Sequence, residues 1–542
     1  MRVTLFAAFI LTAAAVCHGQ SAVAPGMASD VSDWTDQHVL FPDAHDVFTL
    51  LRIQQDQRYR FQWNRRHPNL YRLQAAASAV KPSSTRDWNI SLGGGSTGAQ
   101  SFPSKYVFDV TTPPDCTRDF VVTGINVAGS TTQANIIAVN NLYSNTSGTG
   151  FCSGTGPKVV FAYNIGPGTV PASVAISLDG KKVAFIENNG ASTYFHVLTY
   201  KTGTGNGSSA TSPVSPPAGS DVKLQLNQAA TASIFVDYTH DTAYATTYGT
   251  NGTMYKVSGV FQGTPALVTT NGWPITLTGI TPSTPVYDFN TKHVFFKGMS
   301  GTVYYVDDSV TPAKLAATTW AFATGDSSAH PVIVDSTNQK IYAYTSGPTG
   351  GSALVGQAST SLTNPVTVAV GTGMGTNRTA KMPDFSNAYY SGTTTGAYLY
   401  IAGNDSTVSN HPPALYRIGF NSAWLMNSTI TTGPLDLATN TAGVDNSPVT
   451  EFYNTTTGKE YLFVGVSNAC EATGITGGCV RSLDITGGTW PSGTLNNVVL
   501  AAGGGTSGII VDNNSSASEA SSIYYITMTD NTLVKATQAG LK

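Results

Sequence analysis

Apolar residues in this chain fall in short runs with a recurring internal order. Residues 233–257 read SIFVDYTHDTAYATTYGTNGTMYKV, and residues 284–306 read TPVYDFNTKHVFFKGMSGTVYYV. In each, an Asp follows an apolar pair, an aromatic comes seven residues later, and a glycine turn leads into another apolar run. Asp237 is answered by Tyr244, Asp288 by Phe295 and Asp335 by Tyr342. Looser copies lie at 119–166, 173–188, 381–403, 447–466 and 507–527, two of them carrying Asp179 and Asp384. Self-similarity at a period of roughly 50 residues marks a propeller, a solenoid or another array.

The runs choose among these. HVFFKG, TVYYV, KIYAY, YLYIAG, YLFVG and IYYIT are continuously apolar rather than alternating, so both faces of each strand need cover. Helices that could supply it are missing between the copies. Small sheets stacked face to face around a ring satisfy the requirement. Asn251-Gly252 and Ser300-Gly301 sit where hairpin turns need positive φ. The expected fold is all-β: a single β-propeller of about eight four-stranded blades, with seven as the alternative. RDWNISLGG (86–94) is expected to close the ring against the C-terminal segment. Asp237, Asp288 and Asp335 fall where one strand turns into the next. A carboxylate there accepts backbone N–H groups, so the expected role is structural rather than a calcium or catalytic ring.

The first eighty residues differ in kind. Arg2 followed by the apolar run TLFAAFILTAAAV (4–16) has the length of a secretory leader and is too short to span a membrane. Residues 1–19 are therefore read as a signal peptide. Lipid anchoring at Cys17 is the alternative, and the bulky Val16 before it argues against it. Residues 20–82 form an N-terminal helical segment and linker, and residues 83–542 the propeller. DAHDVFTLLRIQQDQRYRFQW (43–63) suits a helix, with Val47, Leu50, Leu51 and Phe61 on one face. Six arginines between 52 and 72 follow two leading aspartates, matching the helix dipole. They are read as a solvated face, the rival being contact with an anionic glycan or the cell envelope.

Composition narrows the class. Charged residues make up 11% of the 542, Gly numbers 55, and the net charge is −3. Such a chain offers no overall electrostatic footprint for nucleic acid or an anionic membrane. The leader leaves Cys116, Cys152, Cys470 and Cys479. In an oxidising compartment these are disulfide candidates, with Cys116–Cys152 and Cys470–Cys479 as the nearest pairing.

RDWNISLGG, FPSKYVFDV (102–110), DFVVTGINVAGSTTQANIIAVNNLYS (119–144) and the 284–306 copy resemble stretches of uncharacterised secreted bacterial β-propeller proteins. The blade pattern is more distantly similar to quinoprotein-like and YVTN-type propellers. The resemblance covers roughly residues 86–540 and implies a propeller and export, but no reaction. Quinoprotein blades carry AxDxxTGxxxW motifs and a vicinal cysteine pair. Here the matching places read YDFNTKHVFF and VDSTNQKIYAY, and no two cysteines are adjacent. Pyrroloquinoline quinone is accordingly disfavoured. No cofactor is expected, with calcium as the alternative.

Catalytic signatures are weak. GGGSTGA (93–99) and GTGMGTN (371–377) are glycine-rich but lie among β signals, away from the strand-to-helix step a phosphate cradle needs. GTSGII (505–510) lacks the helix that follows a serine nucleophile. His196, His240, His293, His330 and His411 occupy different repeat positions and are read as structural or surface residues. Trp273, Trp320 and Trp490 fall between blade segments, where aromatics pack between blades or stack on sugar rings. The reading is an exported, non-catalytic module that binds a glycan or envelope protein through loops on one ring face. The alternatives are a polysaccharide hydrolase or lyase with an axial-funnel site, for which Asp384 and Glu451 are candidate carboxylates, and a structural cell-surface component.

Overall fold

Continuously apolar strands fold here as small antiparallel sheets that bury both faces against their neighbours. The structure is a computed structural model describing residues 31–32, 39–43, 46–53, 84–97, 101–107, 113–249, 251–323, 330–345, 351–371, 380–454, 457–470, 475–491, 497–512 and 519–538. The leader lies outside the described residues. Eight sheets, one per repeat, form eight blades of a propeller ring. The eight-blade count holds over the seven-blade alternative. Each blade is a meander whose first strand faces the axis. Those inner strands are Ser104–Tyr106, Ala175–Ile176, Phe235–Asp237, Val286–Asp288, Ile333–Asp335, Asp384–Phe385, Thr450–Asn454 and Ile510–Asp512. We call the side where they begin the start face, and the side where they end the turn face.

Hydrogen bonds stitch the start face from blade to blade. Phe102 N–H donates to Ser173 Oγ (2.9 Å), Ser173 N–H to Ser233 Oγ (3.3 Å) and Ser233 N–H to Thr284 Oγ1 (3.1 Å). Val449 N–H reaches Met382 O, and Gly508 N–H reaches Ser101 O, which joins the last blade to the first. Inner strands are short, so these side-chain links satisfy backbone donors that a longer strand would pair within its sheet.

Closure follows the sequence expectation. Strand Ser84–Ser91 pairs antiparallel with Thr532–Gln538 and becomes the outer strand of blade 8. Trp88 is buried there and donates Nε1–H to Leu142 O in blade 1. Lys535 Nζ lies 2.6 Å from Asp87 Oδ2, with both side chains almost wholly buried. The two disulfides are Cys116–Cys152 and Cys470–Cys479.

The N-terminal segment departs from expectation. Few strand signals precede residue 73, yet Val31–Ser32 pairs with the inner strand of blade 1 and Val39–Leu40 runs parallel to that of blade 5. In a ring of eight these blades stand opposite each other, so two axis-facing strand edges are capped by the chain itself. Val39, Leu40 and Phe41 are buried, Ser336 N–H donates to Leu40 O, and Asp43 N–H donates to Tyr390 O. Free edge groups on the inner strands, rather than strand propensity, hold this segment. Within the expected helix 43–63 the structure describes a helix at Val47–Ile53, and residues 54–63 lie outside the described residues. Leu50 packs on the core, but Val47, Phe48 and Leu51 are exposed, so the expected shared apolar face is not formed. Phe61 and the arginines from 58 to 72 lie outside the described residues. No described helix is long and apolar enough to cross a membrane.

Candidate functional site

An Asp at the end of an inner strand sits beside unpaired turn N–H groups, and its carboxylate accepts them. Asp237 Oδ1 accepts Thr239 N–H (3.1 Å), and its Oδ2 lies 2.6 Å from His240 Nδ1. Asp288 Oδ2 accepts Thr291 N–H and Oγ–H, while its Oδ1 takes Ser336 Oγ–H from blade 5 (2.6 Å). Asp335 accepts Asn338 N–H and Nδ2–H together with the Tyr389 hydroxyl of blade 6. Each carboxylate is occupied by its own turn, and two also tie adjacent blades.

The looser copies differ. In blade 2 the turn position is Ser177, whose Oγ accepts Lys182 N–H, and Asp179 lies farther along the turn. In blade 6 it is Ser386, which accepts Tyr398 N–H, because the inserted helix Asn387–Tyr390 lengthens the turn. A hydroxyl meets the same N–H need as a carboxylate, so an Asp-based pattern passes it over. In blade 8 Asp512 takes the place and forms a buried ion pair with Lys105 (3.0 Å).

Burial shifts the innermost of these carboxyls. It pushes Asp335 up to about 6, against the hydrogen bonds from Asn338 and Tyr389 that pull it down. A carboxyl raised in the folded state favours folding at low pH, and that contribution is lost as pH rises through about 6. Asp335→Asn should therefore be less sensitive than the parent between pH 4 and 7, by on the order of 2 kcal/mol. Chemical denaturation across that window checks this, and parallel pH profiles would refute it.

Of the two carboxyl residues nominated for an axial site, Asp384 is engaged in hydrogen bonds. Asp384 and Glu451 are buried, and Asp384 Oδ2 accepts Glu451 N–H (2.7 Å) while Oδ1 accepts the Tyr390 hydroxyl. They form a joint between blades 6 and 7. Ser507 of GTSGII is also buried, accepting Ile526 N–H. His196 is enclosed between Glu187 (3.1 Å) and Asp221 (3.0 Å); burial opposes its charge, but these hydrogen bonds outweigh it and raise its pKa. His293 stacks on Tyr305, and His411 Nδ1 lies 3.0 Å from Asp405 O. Among the described residues no group of three or more His, Cys, Asp or Glu is placed to hold a metal ion. Most of GTGMGTN lies outside the described residues.

Two of the three tryptophans point inward. Trp273 is 4% exposed, donates Nε1–H to Asp308 (3.0 Å) and packs against Tyr244. Trp320 is equally buried, against Phe322. Neither ring face is open to a ligand. Trp490 is partly exposed, in the connection between the third and fourth strands of blade 7 on the turn face.

Beside it lies an open pocket of about 440 Å³. Its lining comes from the two turn-face connections of blade 6: Thr394, Thr395 and Tyr398 from one, and Phe420, Ser422, Asn427 and Thr431 from the other, with Gly419 between. Gly419 keeps the space free, since a Cβ there would lie 3.0 Å from Asn427 Nδ2 and 3.3 Å from Thr431 Oγ1. Hydroxyls, one amide and two aromatic side chains line it, and no acidic or basic side chain does. Sequence reading found Trp490 but missed Tyr398, Phe420 and Asn427. Tyr398 opens the YLYIAG strand run, whereas Phe420 and Asn427 lie in a connection that no repeat preserves.

Neither a family of known proteins nor any curated protein matches the sequence. Similar solved structures are β-propeller proteins. Sqt1 from Chaetomium thermophilum is 10% identical, covering 84% of this chain and 100% of its own, with a TM-score of 0.48. BamB from Moraxella catarrhalis is 11% identical over 84% and 99% of the two chains, with a TM-score of 0.42. The dihydro-heme d1 dehydrogenase NirN is 8% identical over 81% and 78%, with a TM-score of 0.43. No activity or partner is carried over from them.

Proposed function

We propose that this protein is an exported, non-catalytic propeller module that binds an extracellular or envelope glycan through loops on the turn face. The observation that carries this is the blade 6 pocket, whose lining combines the aromatic Tyr398 and Phe420 with uncharged Thr, Ser and Asn groups. A sugar ring has an apolar face for an aromatic and hydroxyls for uncharged donors and acceptors. The leader-like N-terminus and the two disulfides support export, since disulfides persist in oxidising compartments.

Titration calorimetry with oligosaccharides from plant walls and bacterial envelopes tests the reading. One sugar class binds, and Tyr398→Ala weakens it roughly tenfold by removing the stacking ring. Asn427→Ala costs a few-fold, the worth of one hydrogen bond. The bound sugar is recovered at its original length. Failure of every sugar to bind, or equal binding by Tyr398→Ala, would sink the proposal. Shortened products would replace it with the hydrolase alternative.

A further inference from the structure

A guanidinium stands next to this pocket without a carboxylate to match it. Arg417 lies on strand Pro413–Gly419, opposite Tyr400, while Gly419 lies opposite Tyr398. Strand alternation puts Tyr398, Tyr400, Arg417 and Gly419 on the same face of the blade. The Arg417 guanidinium sits 4.4 Å from the Tyr398 ring centroid and 5.3 Å from that of Trp490, held between rings from two blades. Nε donates to Thr432 Oγ1 (2.9 Å) and Nη1 to Gly488 O (2.6 Å). These bonds fix its plane, and the guanidinium also bears on the Tyr400 hydroxyl. No described carboxylate comes within ion-pair distance of it. Glu460, which bears on Tyr400 electrostatically, is buried and accepts Asn387 N–H (2.7 Å). Beside Arg417 the buried Tyr400 hydroxyl has no hydrogen-bond partner in good geometry.

We infer that the glycan this pocket takes is anionic, its carboxylate or sulfate meeting Arg417 while an adjoining ring lies against Tyr398. The inference rests on the glycan reading above and adds its charge. A planar guanidinium pre-set by two rings presents paired N–H groups with little ordering cost, which suits a carboxylate or sulfate better than a sugar hydroxyl. The uncharged lining would contact the remaining hydroxyls and leave Arg417 as the one charge in reach.

The test compares oligogalacturonate, its methyl ester and a sulfated galactan oligomer on the parent protein and on Arg417→Gln and Tyr398→Ala. Oligogalacturonate or the sulfated oligomer should bind at least tenfold more tightly than the ester, a difference that Arg417→Gln erases. The stronger of the two anions identifies the acid group. Tyr398→Ala should weaken charged and uncharged sugars alike, and thermal unfolding confirms that both variants fold. Equal binding of acid and ester, unchanged by Arg417→Gln, overturns the inference while leaving the glycan reading intact. Absence of binding by all three and by the neutral panel overturns both.

Discussion

Lys535→Ala lowers the unfolding free energy by about 3–5 kcal/mol, the range for breaking a buried ion pair from one side. Asp87 and Lys535 belong to the two strands that close the ring, 448 residues apart, and the lysine is fully buried. Removing the lysine leaves the Asp87 carboxylate accepting from Thr537 Oγ1 at 2.6 Å. Burial already pushes Asp87 up to about 6, with Lys535 pulling it back. Without Lys535 the carboxyl rises further, so the deficit shrinks as pH falls from 7 toward 4 and the group takes up its proton. Asp87→Asn combined with Lys535→Met should recover much of the loss, because it removes the stranded Asp87 charge and leaves only Glu519, 3.8 Å from Lys535 Nζ and partly exposed, without its cation. Denaturant unfolding of the parent and the two variants at pH 5 and 7 decides the matter. A deficit below about 1 kcal/mol, independent of pH, would mean that water reaches the joint.

Phe41→Ala costs about 3–5 kcal/mol, as expected for truncating a buried aromatic. Phe41 is 3% exposed and packs among core residues of blades 4 and 5, next to the strand on blade 5's axial edge. Its loss opens a cavity and removes the anchor of that strand. Phe48→Ala, seven residues later and 86% exposed, serves as the control and should change stability by no more than about 0.5 kcal/mol. Equal, small effects from the two substitutions would show that residues 39–43 do not hold the ring in solution.

The ring was legible because blades repeat the same local needs. Runs such as HVFFKG announce strands covered on both faces, and an Asp at the strand end announces a turn with N–H groups to satisfy. Closure through 86–94 was legible too, since that stretch has strand character and stands outside the eight copies. The pattern misplaced the turn residue in blades 2 and 6, where Ser177 and Ser386 use a hydroxyl for the same bond. It also left Trp273 and Trp320 open to a sugar-stacking role, because a lone Trp between strands reads alike whether it faces solvent or the next blade.

What the chain's pattern determined by itself was therefore the part with local physical causes: strand runs, turns, the blade repeat and the nearest-neighbour cysteine pairing. Tertiary structure decided what depends on distance across the ring. The Val39–Leu40 strand exists because an inner edge offers unpaired backbone groups, not because its own residues demand it. Lys535 meets Asp87 only once the last blade reaches the first. The pocket and its guanidinium combine two connections of blade 6 with Trp490 of blade 7, and no periodic signal links them. A repeat encodes how each blade buries its faces, whereas a site between loops depends on where the closed ring brings them.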